Sequence, residues 1–267
     1  MKLGIMVGLR DFESLRVEGS DFSELLLFDG DLDAIDDETL VGLRSRAAHP
    51  ITYVHAQEFL TYGGRNDLLD LSSIDPDWRR ASVEAVRRTK DLSTALGGLP
   101  VVMHPGGITP SESDHESLMS CLEESLDELG RSMLLLENMP WYYWYRKEER
   151  RVAGLCVHPS DLERVEGKVE GFTLDTCHGY LSRPEGAPGF CEDFLDRFGD
   201  KVLHIHASDA RAPDQEGLQI GEGDVDFSAL RGEVPPVLVE IWGGHSDGGA
   251  GFRVGVERLR SLEASWR

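Results

Sequence analysis

The sequence predicts a single α/β domain over residues 1–267, a (β/α)8 TIM barrel. Three observations predict it. Eight short apolar runs recur along the chain, most without polar alternation, as expected of strands covered on both faces. Helical patterns fill the gaps between them, and such alternation implies one parallel-stranded domain with right-handed crossovers. Finally, His55, His104, Glu137, Asp175, His206 and Glu240 each stand at the C-terminal end of an apolar run. They follow one another at 31–49 residues, about one strand, one helix and two loops. A closed parallel barrel gathers such ends at one rim, where this architecture keeps its active site.

The strand-like runs are 2–8 (KLGIMVG), 24–28 (ELLLF), 50–55 (PITYVH), 99–104 (LPVVMH), 132–137 (SMLLLE), 171–175 (GFTLD), 201–206 (KVLHIH) and 236–241 (PVLVEI). Helices are expected over 38–48, 76–96, 113–130, 189–198 and 253–265. The second closes on Gly97-Gly98 and the third on Gly130, the usual C-terminal punctuation. Less regular stretches at 60–75, 140–152, 180–189 and 207–224 each follow a strand and its candidate ligand, as rim loops do. Among them, Trp141-Tyr142-Tyr143-Trp144-Tyr145 reads as an aromatic wall over a pocket, a buried rim cap or part of a subunit interface. No linker divides the chain.

A chain of 267 residues buries a large core without help from metal or disulfides. No apolar run reaches the roughly 20 residues that span a bilayer, and residues 1–8 read as a first strand, not a signal peptide. Cys121, Cys156, Cys177 and Cys191 are widely spaced, which suggests a reducing, cytoplasmic setting. The net charge is -22, and lysine occurs only at positions 2, 90, 147, 168 and 201. This balance fits a surface adapted to high salt, where carboxylate repulsion is screened, or an ordinary acidic cytosolic protein. It argues against nucleic acid, whose binding is led by Lys and Arg on phosphates.

Glu137, Asp175, His206 and Glu240 end strands five to eight. Carboxylates with one imidazole suit a divalent ion such as Mn2+, Mg2+ or Zn2+, and buried carboxylates crowded together need a cation. The alternative pairs them with rim arginines such as Arg10, Arg146 or Arg211. Glu137 and Glu240 arrive from strands five and eight, so they can flank a bound ligand and take and return a proton beside a metal acting as Lewis acid.

His104-Pro105-Gly106, Leu136-Glu137-Asn138, Asp175-Thr176-Cys177-His178, His206-Ala207-Ser208-Asp209, Gly221-Glu222-Gly223 and Glu240-Ile241 occur in the order of the xylose-isomerase-like barrels, which the chain resembles from strand three onward. That superfamily includes sugar isomerases, epimerases and endonuclease IV. The resemblance implies that Glu137 and Glu240 bind the ion and handle protons, that Asp175 and His206 complete the coordination, and that His178 contacts a substrate oxygen. It also implies a metal-dependent isomerase or epimerase of a small sugar, sugar phosphate or polyol, and a possible homodimer. The rival it implies is an abasic-site endonuclease of the endonuclease IV type, in which His55, His104 and Glu137 would hold a further zinc. That enzyme's Asp-x-His pair after strand seven has no counterpart here, although Asp214 or Glu216 could substitute. Otherwise His55 and His104 donate hydrogen bonds to a substrate or sit satisfied in the rim.

Arg211 is expected to bind substrate or to pair with an acidic neighbour. His204 is expected on the face opposite His206, packed against helices. Cys177 reads as a small buried spacer. Gly106-Gly107 and Gly243-Gly244 either admit a ligand or turn the chain.

Overall fold

The computed structural model describes residues 1–109 and 114–266. Eight parallel strands close into a barrel: β1 (Leu3–Val7), β2 (Phe22–Leu26), β3 (Ile51–His55), β4 (Val101–Met103), β5 (Leu134–Glu137), β6 (Gly171–Asp175), β7 (Val202–Ala207) and β8 (Val237–Val239). Each strand pairs with its sequence neighbours, and β1 pairs with β8 to close the ring. Around it lie α1 (Asp37–Ser45), α2 (Pro76–Ala95), α3 (His115–Leu129), α4 (Pro159–Val165), α5 (Phe190–Phe198) and α6 (Ser246–Ser265).

Local chemistry explains the helix boundaries. Asp75 caps α2 by accepting from the Asp77 and Trp78 amides, with Pro76 in the first turn. Asp36 accepts from the Thr39 amide at the start of α1. The helix expected at 253–265 is the regular part of α6, because Asp247, Gly248 and Gly249 adopt left-handed conformations that kink its first turns. Residue 113, the first of the helix expected at 113–130, lies outside the described residues. Two crossovers depart from strict alternation. Residues 8–21 join β1 to β2 through turns, and between β7 and β8 the chain forms a hairpin and a 3-10 turn, Phe227–Leu230, in place of an α-helix.

One strand is shifted from its expected place. The apolar run 24–28 suggested its bounds, but β2 starts at Phe22 and ends at Leu26, leaving Phe28 57% exposed. Ser23 and Glu24 are polar yet buried, so hydropathy alone missed the strand's first half.

Alternation along each strand separates two environments. On β6, Phe172 packs outward on Phe194 and Phe198 of α5, with ring centroids 6.2 and 4.7 Å away. Inside, Tyr53 of β3 stacks on His204 of β7 at 3.8 Å, with Phe22 of β2 edge-on to His204 at 6.0 Å. This aromatic layer plugs the lower barrel. It needs Gly4 beside it, since a Cβ there would lie 2.3 Å from the Phe22 ring.

The rim contains short strands of two to five residues that hydropathy did not reveal, because most are only partly buried and show no continuous apolar run. Phe59–Tyr62 pairs with Arg65–Leu68, and Asp209–Arg211 with Gln215–Leu218. Tyr142–Tyr145, Glu149–Ala153 and Ile108–Thr109 form a three-stranded flap. Buried Asp209 organises the loop after β7, accepting from the amides of Ala210, Gly221 and Val225 at 2.8, 2.8 and 3.0 Å. Gly223 fits beneath it because a Cβ would lie 2.2 Å from the Ala210 carbonyl. Replacing Asp209 by Ala strands three donors, at about 1–3 kcal/mol for each group left unpaired. Thermal denaturation of Asp209→Ala is expected to show a loss of about 3 kcal/mol or more; an unchanged melting temperature would contradict this role.

Candidate metal centre

All six strand-end residues meet at the C-terminal mouth. His55, Glu137 and Asp175 are the last residues of β3, β5 and β6; His206 is the penultimate residue of β7, and His104 and Glu240 follow β4 and β8 directly. They form two groups whose potential ligand atoms lie within 4.8 Å of one another. One is His55, His104 and Glu137; the other is Glu137, Asp175, His206 and Glu240. Glu137 belongs to both.

The fully buried Glu137 carboxylate faces imidazoles on every side. Its Oε2 lies 3.7 Å from His55 Nε2 and 3.4 Å from His206 Nδ1; its Oε1 lies 3.6 Å from His104 Nε2 and 3.0 Å from His178 Nδ1. His206 Nδ1 also lies 2.7 Å from Glu240 Oε2. Yet both Glu137 oxygens, His206 Nδ1 and Glu240 Oε2 are buried without a partner of hydrogen-bonding geometry. Such orphaned atoms are costly. Their close but misaligned approach is what donors aimed at a shared point produce. Imidazole and carboxylate ligands of this number fit one divalent ion per group. The alternative of arginine pairing does not hold, since every ion-pair partner of Glu137, Asp175 and Glu240 among the described residues is a histidine.

Supporting contacts orient the ligands. Asp175 is held by Asn138, whose Oδ1 accepts the Asp175 amide at 2.8 Å. The Asp175 carboxylate caps the short helix Thr176–Tyr180 by accepting from the His178 amide, which returns His178 toward Glu137. Cys177 is buried in this turn, as a spacer.

Below the mouth lies a residue that the sequence reading missed, Glu24. Its Oε2 is 2.7 Å from His204 Nε2, and its Oε1 is 3.2 Å from His206 Nε2, all fully buried. The expected placement of His204 against the helices is overturned. Two steps along a strand return to the same face, so His204 and His206 both point inward, their centroids 4.9 Å apart. Glu24 thereby turns the Nδ1 atom of His206 toward Glu137 and Glu240. The only sequence signal was a lone acidic residue heading an apolar run, which also describes a surface strand start.

The charges are mutually dependent. Burial pushes the Asp175 carboxyl up to about 7, with Glu137 and Glu240 adding to it against His178. Burial opposes charge on His55, but Glu137 and Glu24 outweigh it and raise the imidazole to about 9. Burial would also raise Glu24 and Glu137, but neighbouring histidines, His206 foremost, hold both well below the carboxylate range.

Above the ligands opens a cleft of about 320 Å³, lined by His104, Asp175, His178 and Glu240 together with Tyr143, Trp144, Trp242, Glu58 and Glu216. The aromatic segment therefore contributes Tyr143 and Trp144 to the wall, and Trp144 donates to the Asp214 carbonyl at 2.7 Å. Glu216 is buried with an unpartnered Oε2, and burial raises it to about 8. Asp214 is turned away to Arg150 at 2.9 Å. Arg211 stands apart from the cleft, donating to the Glu222 carbonyl at 2.7 Å near Asp224. Gly106 packs on Asp70 and Gly244 on Phe252, so these glycine pairs shape the chain.

Comparison with known proteins agrees with this architecture. The model of the xylose isomerase-like TIM barrel matches residues 17–262. A probable endonuclease 4 from Thermoplasma acidophilum is 26% identical over 171 residues, 60% of this chain and 57% of that protein. The chain spans 54–63% of the length of the curated relatives it matches. Among solved structures, a D-tagatose 3-epimerase-like protein superposes with a TM-score of 0.67 at 21% identity over the whole of both chains. The IOLI protein with a bound zinc atom superposes with a TM-score of 0.71 at 14% identity, covering 100% of this chain and 99% of that one. At these identities the structural likeness carries the fold. With the family match spanning nearly all of it, this chain belongs to the xylose isomerase-like TIM barrel family.

Proposed function

We propose that this protein is a divalent-metal-dependent hydrolase acting on a small phosphate ester. The observation that carries this reading is the shared position of Glu137, with His55 and His104 on one side and Asp175, His206 and Glu240 on the other. With an ion in each group, Glu137 would be shared between two cations, which weakens it as a base toward a substrate carbon, the role isomerisation would ask of it. Ions held by the two groups would supply Lewis acidity toward phosphoryl oxygens and a nucleophile drawn from water at neutral pH. The chain's own contribution is placement. His178 would face the ester from the mouth, the Glu216 carboxyl can pass a proton to the leaving oxygen, and Trp144 and Trp242 narrow the entrance. The relationship to a probable endonuclease 4 supports phosphoester chemistry. The net charge of -22 favours a small ester over a nucleic acid strand.

Isomerisation or epimerisation of a small sugar is the second reading. It is favoured by the four-residue group, which suffices for one ion without His55 and His104, and by the likeness to an epimerase-like protein.

Metal analysis after loading with Zn2+ or Mn2+, with assays on bis-p-nitrophenyl phosphate and on ketose proton exchange, separates the two. Two ions per chain with ester hydrolysis, both reduced by His55→Ala, are expected. One ion with exchange at a sugar carbon, unaffected by His55→Ala, would establish the second reading. Because His55 and Asp175 must shed protons to ligate, metal affinity is expected to rise with pH between about 7 and about 9. The sign for stability is opposite. Both groups hold protons more tightly in the folded chain, so the metal-free protein should lose stability as pH climbs through those values, while the metal-loaded protein stays flat. Calorimetric titration of Glu24→Gln should show metal binding weakened roughly 10- to 100-fold, as for other outer-shell partners of ligating histidines. An unchanged affinity would mean that Glu24 does not orient His206.

A further inference from the structure

The hairpin Tyr142–Tyr145/Glu149–Ala153 carries four cations, and they fall into two kinds. Arg150 and Arg151, on its strand, are neutralised: Arg150 by Asp214 at 2.9 Å, Arg151 by Glu149 at 3.0 Å and Asp67 at 3.4 Å. Arg146 and Lys147, at its tip, line the cleft beside His104, Asp175, His178 and Glu240. Neither has a carboxylate within 4.0 Å among the described residues. In a chain with 49 acidic and 27 basic side chains, such a pair is conspicuous.

Both cations are seated on groups that leave their charge uncancelled. The Arg146 guanidinium lies 5.2 and 5.3 Å from the ring centres of Phe59 and Tyr145, and one of its nitrogens donates to Asn66. Lys147 Nζ lies 4.5 Å over Trp242, itself a cleft residue. Aromatic faces hold a cation by their quadrupole without neutralising it. The backbone is committed as well. Arg146 and Lys147 have φ of 52° and 59°, a conformation that Gly, Asn or Asp adopts more cheaply. Two long cations therefore occupy a turn whose geometry favours other residues, at the edge of a site otherwise rich in carboxylates.

We infer that Arg146 and Lys147 form an anion-binding lip and that the substrate enters with a phosphate group against it. This rests on the phosphoester reading above and adds the residues that select a dianionic or monoanionic phosphate from neutral sugars. Arg supplies planar, paired N–H donors and Lys a compact charge, a combination suited to phosphate oxygens. The lip also offsets the repulsion that the acidic surface exerts on an approaching anion.

The test uses the full chain, with inorganic phosphate as probe and tryptophan fluorescence as readout, since Trp144 and Trp242 border the lip. The double variant Arg146→Asn/Lys147→Asn keeps residues that tolerate the left-handed turn while removing both charges. It is expected to weaken phosphate binding roughly tenfold or more, in metal-free as well as metal-loaded protein, and to steepen KM for a phosphate ester while kcat stays within about threefold. Metal stoichiometry and melting temperature should not change. Arg150→Gln, on the same hairpin but already paired, should bind phosphate like the parent, and Lys147→Arg should retain binding. Equal phosphate affinity in the parent and the double variant would overturn the lip. Lip-dependent phosphate binding without ester hydrolysis would instead retain the lip and reject the hydrolase reading.

Discussion

Glu137 is the constraint on which the rest of the site depends. A carboxylate buried at the end of a barrel strand, with four imidazoles at 3.0–3.7 Å, is tolerable only if positive charge surrounds it. The imidazoles supply that charge when protonated, and cations can supply it when they are not. Everything nearby follows from this need. Histidines come from β3, β4, the turn after β6 and β7, because only strand ends of a closed barrel bring four of them around one carboxylate without exposing it.

That balance extends downward to Glu24 and upward to the flap. Glu24 fixes His206 from below, standing on an aromatic layer of Tyr53, Phe22 and His204 that keeps water out of the barrel. Above, Tyr143 and Trp144 form a partly apolar wall, and the hairpin tip brings cations over an entrance lined with carboxylates. From floor to mouth, the interior passes from aromatic to ionic to open. Such a gradient concentrates the polar side chains at the open end, while the lower layer supplies the packing that holds them rigid.

Much of the barrel was legible in the chain. The eight apolar runs correspond to β1–β8, and the placement of candidate ligands at their C-terminal ends holds for all six residues. Hydropathy succeeded there because strands buried on both faces must be apolar almost throughout. It failed where burial is achieved by pairing instead. Ser23 and Glu24 broke the apolar run so that Phe22 and Ser23 were left out of β2, and His204 was assigned to the wrong face although two-residue spacing places it with His206. The rim hairpins escaped notice because their strands are short and paired with one another, outside the barrel's own repeat.

By itself, the order of residues determined the barrel, the rim and the identity of the six groups there, since periodicity and strand length are local properties. Tertiary structure alone decided that Glu24 lies beneath His206, that His204 faces inward beside it and that Arg211 stays outside. Those outcomes depend on distances between strands that are not neighbours in sequence. Arg146 and Lys147 show the same division. Their charge is plain from the chain, but that no carboxylate among the described residues pairs with them is a matter of which side chains the folded surface places within reach.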